Sequence, residues 1–336
     1  MRPCHLMRSA VVAGALLLGA CDGPHGNAVR VIIPRGASFR AAADSMAAAG
    51  VVGSPFAFRV YARLNGRDRQ IQAGTYLLRP GTHWSDLVAE MNGGVGIVNR
   101  VTIPEGFTIA QITPVLMRAL NTSSDSVDAA VRDSALRARV ADPAETLEGY
   151  LFPDTYVFAP GTSAREAVTE MVKRFEREWK PEYDTAAVAL GRNRHEIVTM
   201  ASIVEKEARL PEERPVIAAV YYNRLKDNMP LQADPTVQYA LGRHTERVLY
   251  RDLTIDSPYN TYLHPGLPPG PIASPGGASL RAALAPAKVP FLYFVAAPDG
   301  HHEFRATMAG HEQAKRAVRA EKAIDSSPKQ KKRNAR

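Results

Sequence analysis

Asn193-Arg194-His195-Glu196-Ile197-Val198-Thr199-Met200-Ala201-Ser202-Ile203-Val204-Glu205-Lys206-Glu207-Ala208-Arg209 is the stretch on which the reading of this chain turns. Asn193 followed three residues later by Glu196 is a capping-box signature, which predicts a helix over 193–209. Ile197, Met200, Ala201, Val204 and Ala208 recur at helical spacing and predict a core-facing stripe. Glu205 and Glu207 flank that stripe on opposite sides, and Glu207 shares its side with Met200 and Ile203. A carboxyl set beside large apolar groups is desolvated, which raises its pKa and lets it serve as a general acid near neutral pH. Periodicity alone favours the other reading, two surface glutamates near a helix end with Lys206 and Arg209 as solvated neighbours.

Outward from this helix, the downstream sequence sets polar and aromatic side chains among turn residues. Asn223-Arg224 is followed by Pro230-Leu231-Gln232-Ala233-Asp234-Pro235-Thr236-Val237-Gln238-Tyr239 and by Ser257-Pro258-Tyr259-Asn260-Thr261-Tyr262. Gly266-Leu267-Pro268-Pro269-Gly270-Pro271-Ile272 and Ser274-Pro275-Gly276 read as stiff loops, and Phe291-Leu292-Tyr293-Phe294-Val295 as a strand that argues for order in this region. Aromatic faces and planar polar groups around a cleft suit sugar rings, hydroxyls and acetamides. For Asp234 and Asn260 a structural role in the turns is an equal alternative. Helices are also predicted at about 163–179 and from Pro211 to Leu225.

Upstream, one pattern occurs three times: Val31 to Ser38, Tyr76 to Thr82 and Val101 to Thr108 each read as a short strand, a Pro/Gly turn and a Ser or Thr cap before an amphipathic helix. The first two units predict a small β-α-α-β module over 29–95, which resembles LysM-type glycan-binding domains. Such units are also common without any ligand. Residues 121–146 are polar and alanine-rich, and read as helices around a hinge before the aromatic, turn-bearing run from Leu147 to Phe158.

The chain has 336 residues, enough for two domains, with 45% hydrophobic and 23% charged residues. Arg2 and Arg8 precede the apolar run Ala10–Leu18, which is short for a bilayer span. It ends in Leu18-Gly19-Ala20-Cys21, which resembles a bacterial lipobox with Cys21 as the lipidated residue; a plain signal peptide or an uncleaved anchor is the alternative. Each exports the rest of the chain. The other cysteine, Cys4, lies upstream, so a mature body would hold no disulfide, thiol nucleophile or cysteine metal site. The net charge of +8 is partly concentrated in the tail after Pro328, read as disordered and solvated, and no nucleic-acid motif is present.

Together the motifs Met200–Glu207, Leu231–Tyr239, Tyr259–Tyr262, Gly266–Ile272, Phe291–Val295 and Glu148-Gly149-Tyr150-Leu151-Phe152-Pro153-Asp154-Thr155 resemble, in order, those of MltG-type (YceG-like) endolytic murein transglycosylases over about 30–316. The resemblance implies an α+β fold with a LysM-like N-terminal subdomain. A mixed α/β catalytic domain would follow, with a lytic-transglycosylase-like helical core and long ordered loops. The expected divisions are an anchor and spacer at 1–28, the LysM-like subdomain at 29–95, linking strand and helices at 96–146, the catalytic domain at 147–316 and a basic disordered tail at 317–336. It implies Glu207 as the catalytic acid, with Glu205 as the fallback, and sugar-positioning roles for Gln232, Asp234, Thr236, Tyr259 and Asn260. It implies no metal and no cofactor. Its partners would be peptidoglycan glycan strands and peptidoglycan synthases, at the inner membrane facing the periplasm. Relatives of this type usually carry a transmembrane helix, from which the lipobox-like Cys21 departs. A hydrolytic muramidase and a non-catalytic wall-binding lipoprotein are the rival functions.

Overall fold

The computed structural model describes residues 26–34, 36–68, 71–93, 97–140, 145–159, 161–242 and 248–325. Cys21 and the basic run after Pro328 lie outside the described residues. None of the described helices is long and apolar enough to cross a membrane. The chain divides into two compact units at Val98/Asn99.

The first unit begins β1 (Val29–Ile33), α1 (Phe39–Ala48), α2 (Pro55–Leu64), β2 (Gly74–Leu78) and α3 (Trp84–Gly93). Strands β1 and β2 pair antiparallel, with Val31 opposite Tyr76, so the β-α-α-β order is present. Val31, Ile33, Tyr76 and Leu78 point to one buried face, where Met46, Phe58, Leu87 and Met91 close the core. Ser38 caps α1 by accepting from the Ala41 N–H, as its position predicted. Thr82 does not cap α3: its hydroxyl donates to the Arg79 carbonyl and closes the preceding turn instead. The first residues of β3 (Ile97–Ile103) pair with β2.

In the second unit the remainder of β3 pairs antiparallel with β4 (Asp154–Phe158), Val101 opposite Tyr156. Between them in sequence lie α4 (Ile109–Leu120), α5 (Ser124–Val131) and α6 (Ser134–Arg139). Val127, Val131 and Leu136 are buried in this unit's core, so the segment read as a link is part of its body. Thr108 and Gln111 form a reciprocal capping box at the start of α4. Then come α7 (Ala164–Glu178), α8 (Pro181–Ala189), α9 (Arg194–Glu207), a 3₁₀ turn (Pro211–Glu213), α10 (Arg214–Lys226) and α11 (Asp234–Ala240). The unit closes with α12 (Gly277–Leu284), the hairpin β5 (Tyr293–Ala296) and β6 (His302–Arg305), and α13 (Met308–Asp325).

Helix α9 is the axis of this unit. The capping box of Asn193 and Glu196 forms as expected. The stripe, however, understates the burial: Val198, Thr199, Ser202 and Ile203 are enclosed as fully as Ile197 and Met200. Helices α8, α10, α11 and α12 all touch α9, so a helix with polar residues on several faces is still surrounded. Its polar groups are satisfied by binding a loop. Ser202 Oγ accepts from the Ile272 N–H at 3.0 Å, and His195 Nε2 meets the Pro269 carbonyl at 2.7 Å. Gly149, at φ +85°, lets Pro271 approach so closely that a Cβ there would sit 2.4 Å from the proline Cβ.

The expected disordered tail from 317 requires a correction. Helix α13 continues to Asp325, with Ala314 and Val318 buried one turn apart on the face that meets β5 and β6. The apolar pair holds a stretch whose composition otherwise reads as solvated.

Candidate functional site

Glu205 and Glu207 leave the end of α9 in different directions, and their surroundings differ. Glu205 is turned into protein, its side chain 7% exposed. Its Oε2 accepts from the Gly276 N–H at 3.0 Å and from Ser279 Oγ–H at 2.7 Å, and Arg214 Nη2 lies 3.5 Å from Oε1. A carboxylate at the first N–H groups of α12 satisfies orphan donors and the helix dipole. Oε2 of Glu205 thereby fastens α12 to α9, and Oε1 pairs with Arg214 at the start of α10.

Glu207 instead lines a cleft of about 360 Å³. Its Oε1 accepts from Tyr221 Oη–H at 2.7 Å, and among the described residues this is the one hydrogen bond to the carboxyl, so Oε2 is left for a ligand. Burial pushes the Glu207 carboxyl up to about 7, the Tyr221 hydrogen bond opposes that rise, and the charge of Asp234 adds to it. The side chain is partly open to the cleft, yet the surrounding protein displaces enough water to favour the neutral acid. Tyr221 is itself fully buried from α10, edge-on to Phe294 at 5.8 Å, which fixes the phenol that holds the acid.

Around Glu207 stand Arg224, Gln232, Asp234, Tyr262, Tyr293, Met308, His311, Glu312 and Lys315. Gln232 sits at φ 50°, a left-handed conformation costly for a non-glycine residue, and it is placed by the bond from its N–H to the Thr261 carbonyl. Asp234 opens α11 and accepts from Tyr262 Oη–H at 2.6 Å. Arg224 Nε donates to the Leu292 carbonyl and Nη1 to the Leu231 carbonyl, each at 2.7 Å, so the guanidinium is built into the cleft wall.

The structure thus brings Gln232 and Asp234 to Glu207. It puts the other three expected sugar contacts elsewhere. Thr236 is fully buried, donating to the Ala233 carbonyl at 2.7 Å and facing Thr261 Oγ1 at 2.8 Å. Asn260 is fully buried too; its amide donates to the Leu253 and Ile255 carbonyls, and its Oδ1 accepts from the Tyr262 N–H. Tyr259 lies against Tyr239, ring centres 4.8 Å apart, outside the Glu207 cleft. These residues shape the loop that carries Tyr262. Tyr221, His311 and Lys315 are cleft residues that sequence reasoning did not single out, and in the sequence Tyr262 reads only as an aromatic of the Ser257–Tyr262 motif. Tyr221 sits on the predicted helix after Pro211, but nothing local marked its hydroxyl as facing Glu207.

A larger cavity, about 610 Å³, lies against the other side of α11. Lys206 lines it rather than Glu207, together with Glu148, Gln238 and Tyr239. Burial raises Glu148 to about 7 as well, but both of its oxygens accept from the Ile109 N–H at 3.1 Å, at the start of α4. That carboxyl is tied to the backbone. We therefore take the smaller cleft as the candidate site, because its acid keeps a free oxygen.

Fold and cleft define an α+β protein in which an enclosed helix delivers one protonatable carboxyl to a polar, aromatic-walled cleft. The profile of the YceG-like family matches residues 31–317, and the chain belongs to that family. It is 37% identical over 329 residues to the endolytic murein transglycosylase of Bacillus subtilis (strain 168), covering 92% of this chain and 90% of that one. It is 31% identical over 306 residues to the endolytic murein transglycosylase of Streptococcus pneumoniae serotype 2 (strain D39 / NCTC 7466), covering 80% of this chain and 54% of that longer protein. The crystal structure of a putative yceG-like protein from Listeria monocytogenes superposes with a TM-score of 0.62 at 34% identity, covering 85% of this chain and 98% of the other.

Proposed function

We propose that this protein is an endolytic peptidoglycan lytic transglycosylase with Glu207 as its acid and base. The observation that carries the proposal is the Glu207 carboxyl, held near a pKa of about 7 with one oxygen fixed by Tyr221 and the other facing a cleft. The names of the relatives, all endolytic murein transglycosylases, support the substrate and reaction class.

In this mechanism neutral Glu207 gives its proton to the oxygen joining N-acetylmuramic acid to N-acetylglucosamine. The Tyr221 hydroxyl on Oε1 leaves Oε2 as the oxygen that carries that proton. The C1–O bond breaks, and N-acetylglucosamine leaves with a free 4-hydroxyl. The positive character at C1 is met by the muramic acetamido group and by the Asp234 carboxylate in the same cleft. The Glu207 carboxylate then removes the proton of the muramic C6 hydroxyl, whose oxygen bonds to C1. A 1,6-anhydro end forms, no water is consumed and the acid is restored. Glu205 is spent on α12 and Arg214, so the second carboxyl of the cleft is Asp234, which in this mechanism stabilises charge where a two-carboxyl hydrolase would use it for chemistry.

Gln232 and Asp234 position sugar, while Thr236, Tyr259 and Asn260 act through the loop that carries Tyr262. We further propose that the enzyme ends nascent glycan strands beside peptidoglycan synthases. It would be anchored through Cys21 or an uncleaved leader at the inner membrane, facing the periplasm, with the 29–95 module contacting glycan in the manner of LysM domains.

The test is mass spectrometry of muropeptides after digestion of purified peptidoglycan by the full chain and by Glu207→Gln. New 1,6-anhydromuramic ends that vanish in the variant are expected. Reducing ends would make the protein a hydrolase, and loss of products only on changing Glu205 would move the site.

A further inference from the structure

Helix α13 contributes Met308, His311, Glu312 and Lys315 to the Glu207 cleft. His311 is the unusual member. Its Nδ1 is enclosed and has no hydrogen-bond partner among the described residues. Its ring is stacked on Tyr293, centroids 5.3 Å apart and planes within 21°. Tyr293 is itself braced by the Arg224 guanidinium, 5.3 Å from the ring centre, and Arg224 is fastened to backbone carbonyls on two segments. The plane of the imidazole is thereby fixed.

An enclosed N–H without an acceptor is costlier and rarer than an under-used lone pair. The single proton of a neutral ring therefore belongs on Nε2, with the lone pair on the enclosed Nδ1. Since Nδ1 is covered and the residue lines the cleft, the edge that meets the cleft is the one carrying Nε2. From this geometry we infer that His311 is a substrate-binding residue, a neutral Nε2–H donor to an acceptor oxygen of the aminosugar seated over Glu207. The inference rests on the glycan-cleaving function proposed above and adds a specificity contact to it.

The charge balance of the cleft agrees. Burial, then the Lys315 ammonium, lowers the His311 pKa, with a smaller contribution from Arg224; Glu312 acts in the opposite direction. Neutral imidazole adds no cation beside Glu207, where a positive charge would drive off the proton the reaction needs. Glu207, Asp234 and Glu312 are all acceptors when ionised, and a rigid uncharged donor beside Gln232 and Lys315 adds a directed contact for an acetamido carbonyl or ring hydroxyl oxygen.

The experiment compares the full chain with His311→Phe, His311→Gln and Glu207→Gln. Its readouts are release of 1,6-anhydromuramic ends from purified glycan strands, separated into kcat and KM, and thermal melting. Phenylalanine keeps the stack on Tyr293 and removes the donor; glutamine places an amide N–H near the Nε2 position. The expected result is a kcat/KM about tenfold or more lower for His311→Phe, recovered to within about threefold by His311→Gln, with both melting as the parent does. Parent-like turnover by His311→Phe overturns the assignment, and so does an equal loss in both variants that follows their melting temperatures. If the parent chain itself releases no such ends while Glu207→Gln is equally inert, the glycan-cleaving function fails and the assignment fails with it.

Discussion

Replacing Glu207 by glutamine should make the protein more stable above neutral pH, by an amount the structure bounds. The carboxyl rises from 4.5 to about 7 on folding, chiefly through burial. Each pKa unit corresponds to about 1.36 kcal/mol, so the ionised side chain costs the folded state up to about 3 kcal/mol. The sign follows from proton binding. The folded protein holds the proton more tightly than the unfolded chain, so the stability tied to the neutral acid is complete below about pH 4.5 and is lost as pH rises through about 7. Glutamine stays neutral and still accepts from Tyr221. The stability difference between variant and parent should thus be small at pH 5 and reach roughly 2–3 kcal/mol by pH 8.5, an upward shift of roughly 5–10 °C in melting temperature. Glu148 titrates over the same range in both proteins and cancels. Guanidinium unfolding followed by circular dichroism at the two pH values measures the difference. A variant-minus-parent value that does not change with pH would refute the claim that Glu207 is desolvated.

Activity should require the protonated acid, so the rate of anhydro-end release should fall as pH rises through about 7. Tyr221→Phe removes a bond that favours the carboxylate. That should move this limb upward by roughly one pH unit and slow turnover about tenfold at pH 6; an unmoved limb would mean that Tyr221 does not set the acid. Glu205→Gln should cost about 3 kcal/mol in denaturant unfolding, because Arg214 loses its carboxylate partner and the start of α12 its anchor. If it unfolds like the parent yet makes no product, the division of labour between the two glutamates is wrong. Gly149→Ala should destabilise by about 4 kcal/mol, combining a positive φ with overlap on Pro271. Parent-like melting would show that the loop at Pro271 can shift away at little cost.

Much of α9 was legible before any coordinates. Asn193 and Glu196 announce its start because a capping box is satisfied within four consecutive residues. The strand–turn–helix units upstream were legible for the same reason, and the Ser38 and Thr108 caps formed as read. Thr82 failed because a hydroxyl in a Pro/Gly turn has a second local partner, the Arg79 carbonyl, and sequence does not rank the two. Among the sugar-contact candidates, Gln232 and Asp234 reach the cleft whereas Thr236 and Asn260 point inward. In sequence all four are polar residues among turn signals, and only the placement of α11 and of the segments around Gln232 and Asn260 separates them.

What the sequence determined by itself is what short-range chemistry determines: the helix that carries two glutamates, its caps, and the fact that Glu207 shares a side with Met200 and Ile203. Tertiary structure decided which glutamate is available for chemistry. Gly276 and Ser279 converge on Glu205 from a segment distant in the chain, joined by Arg214 of the next helix, and the same packing leaves Glu207 to Tyr221 and the cleft. It also decided that α13 walls the site and presents His311, which no local pattern announces. Caps and amphipathic faces arise between residues a few positions apart, so their partners are written beside them. A desolvated acid and its neighbours are made by elements that meet only when the core closes, and sequence spacing does not record that meeting.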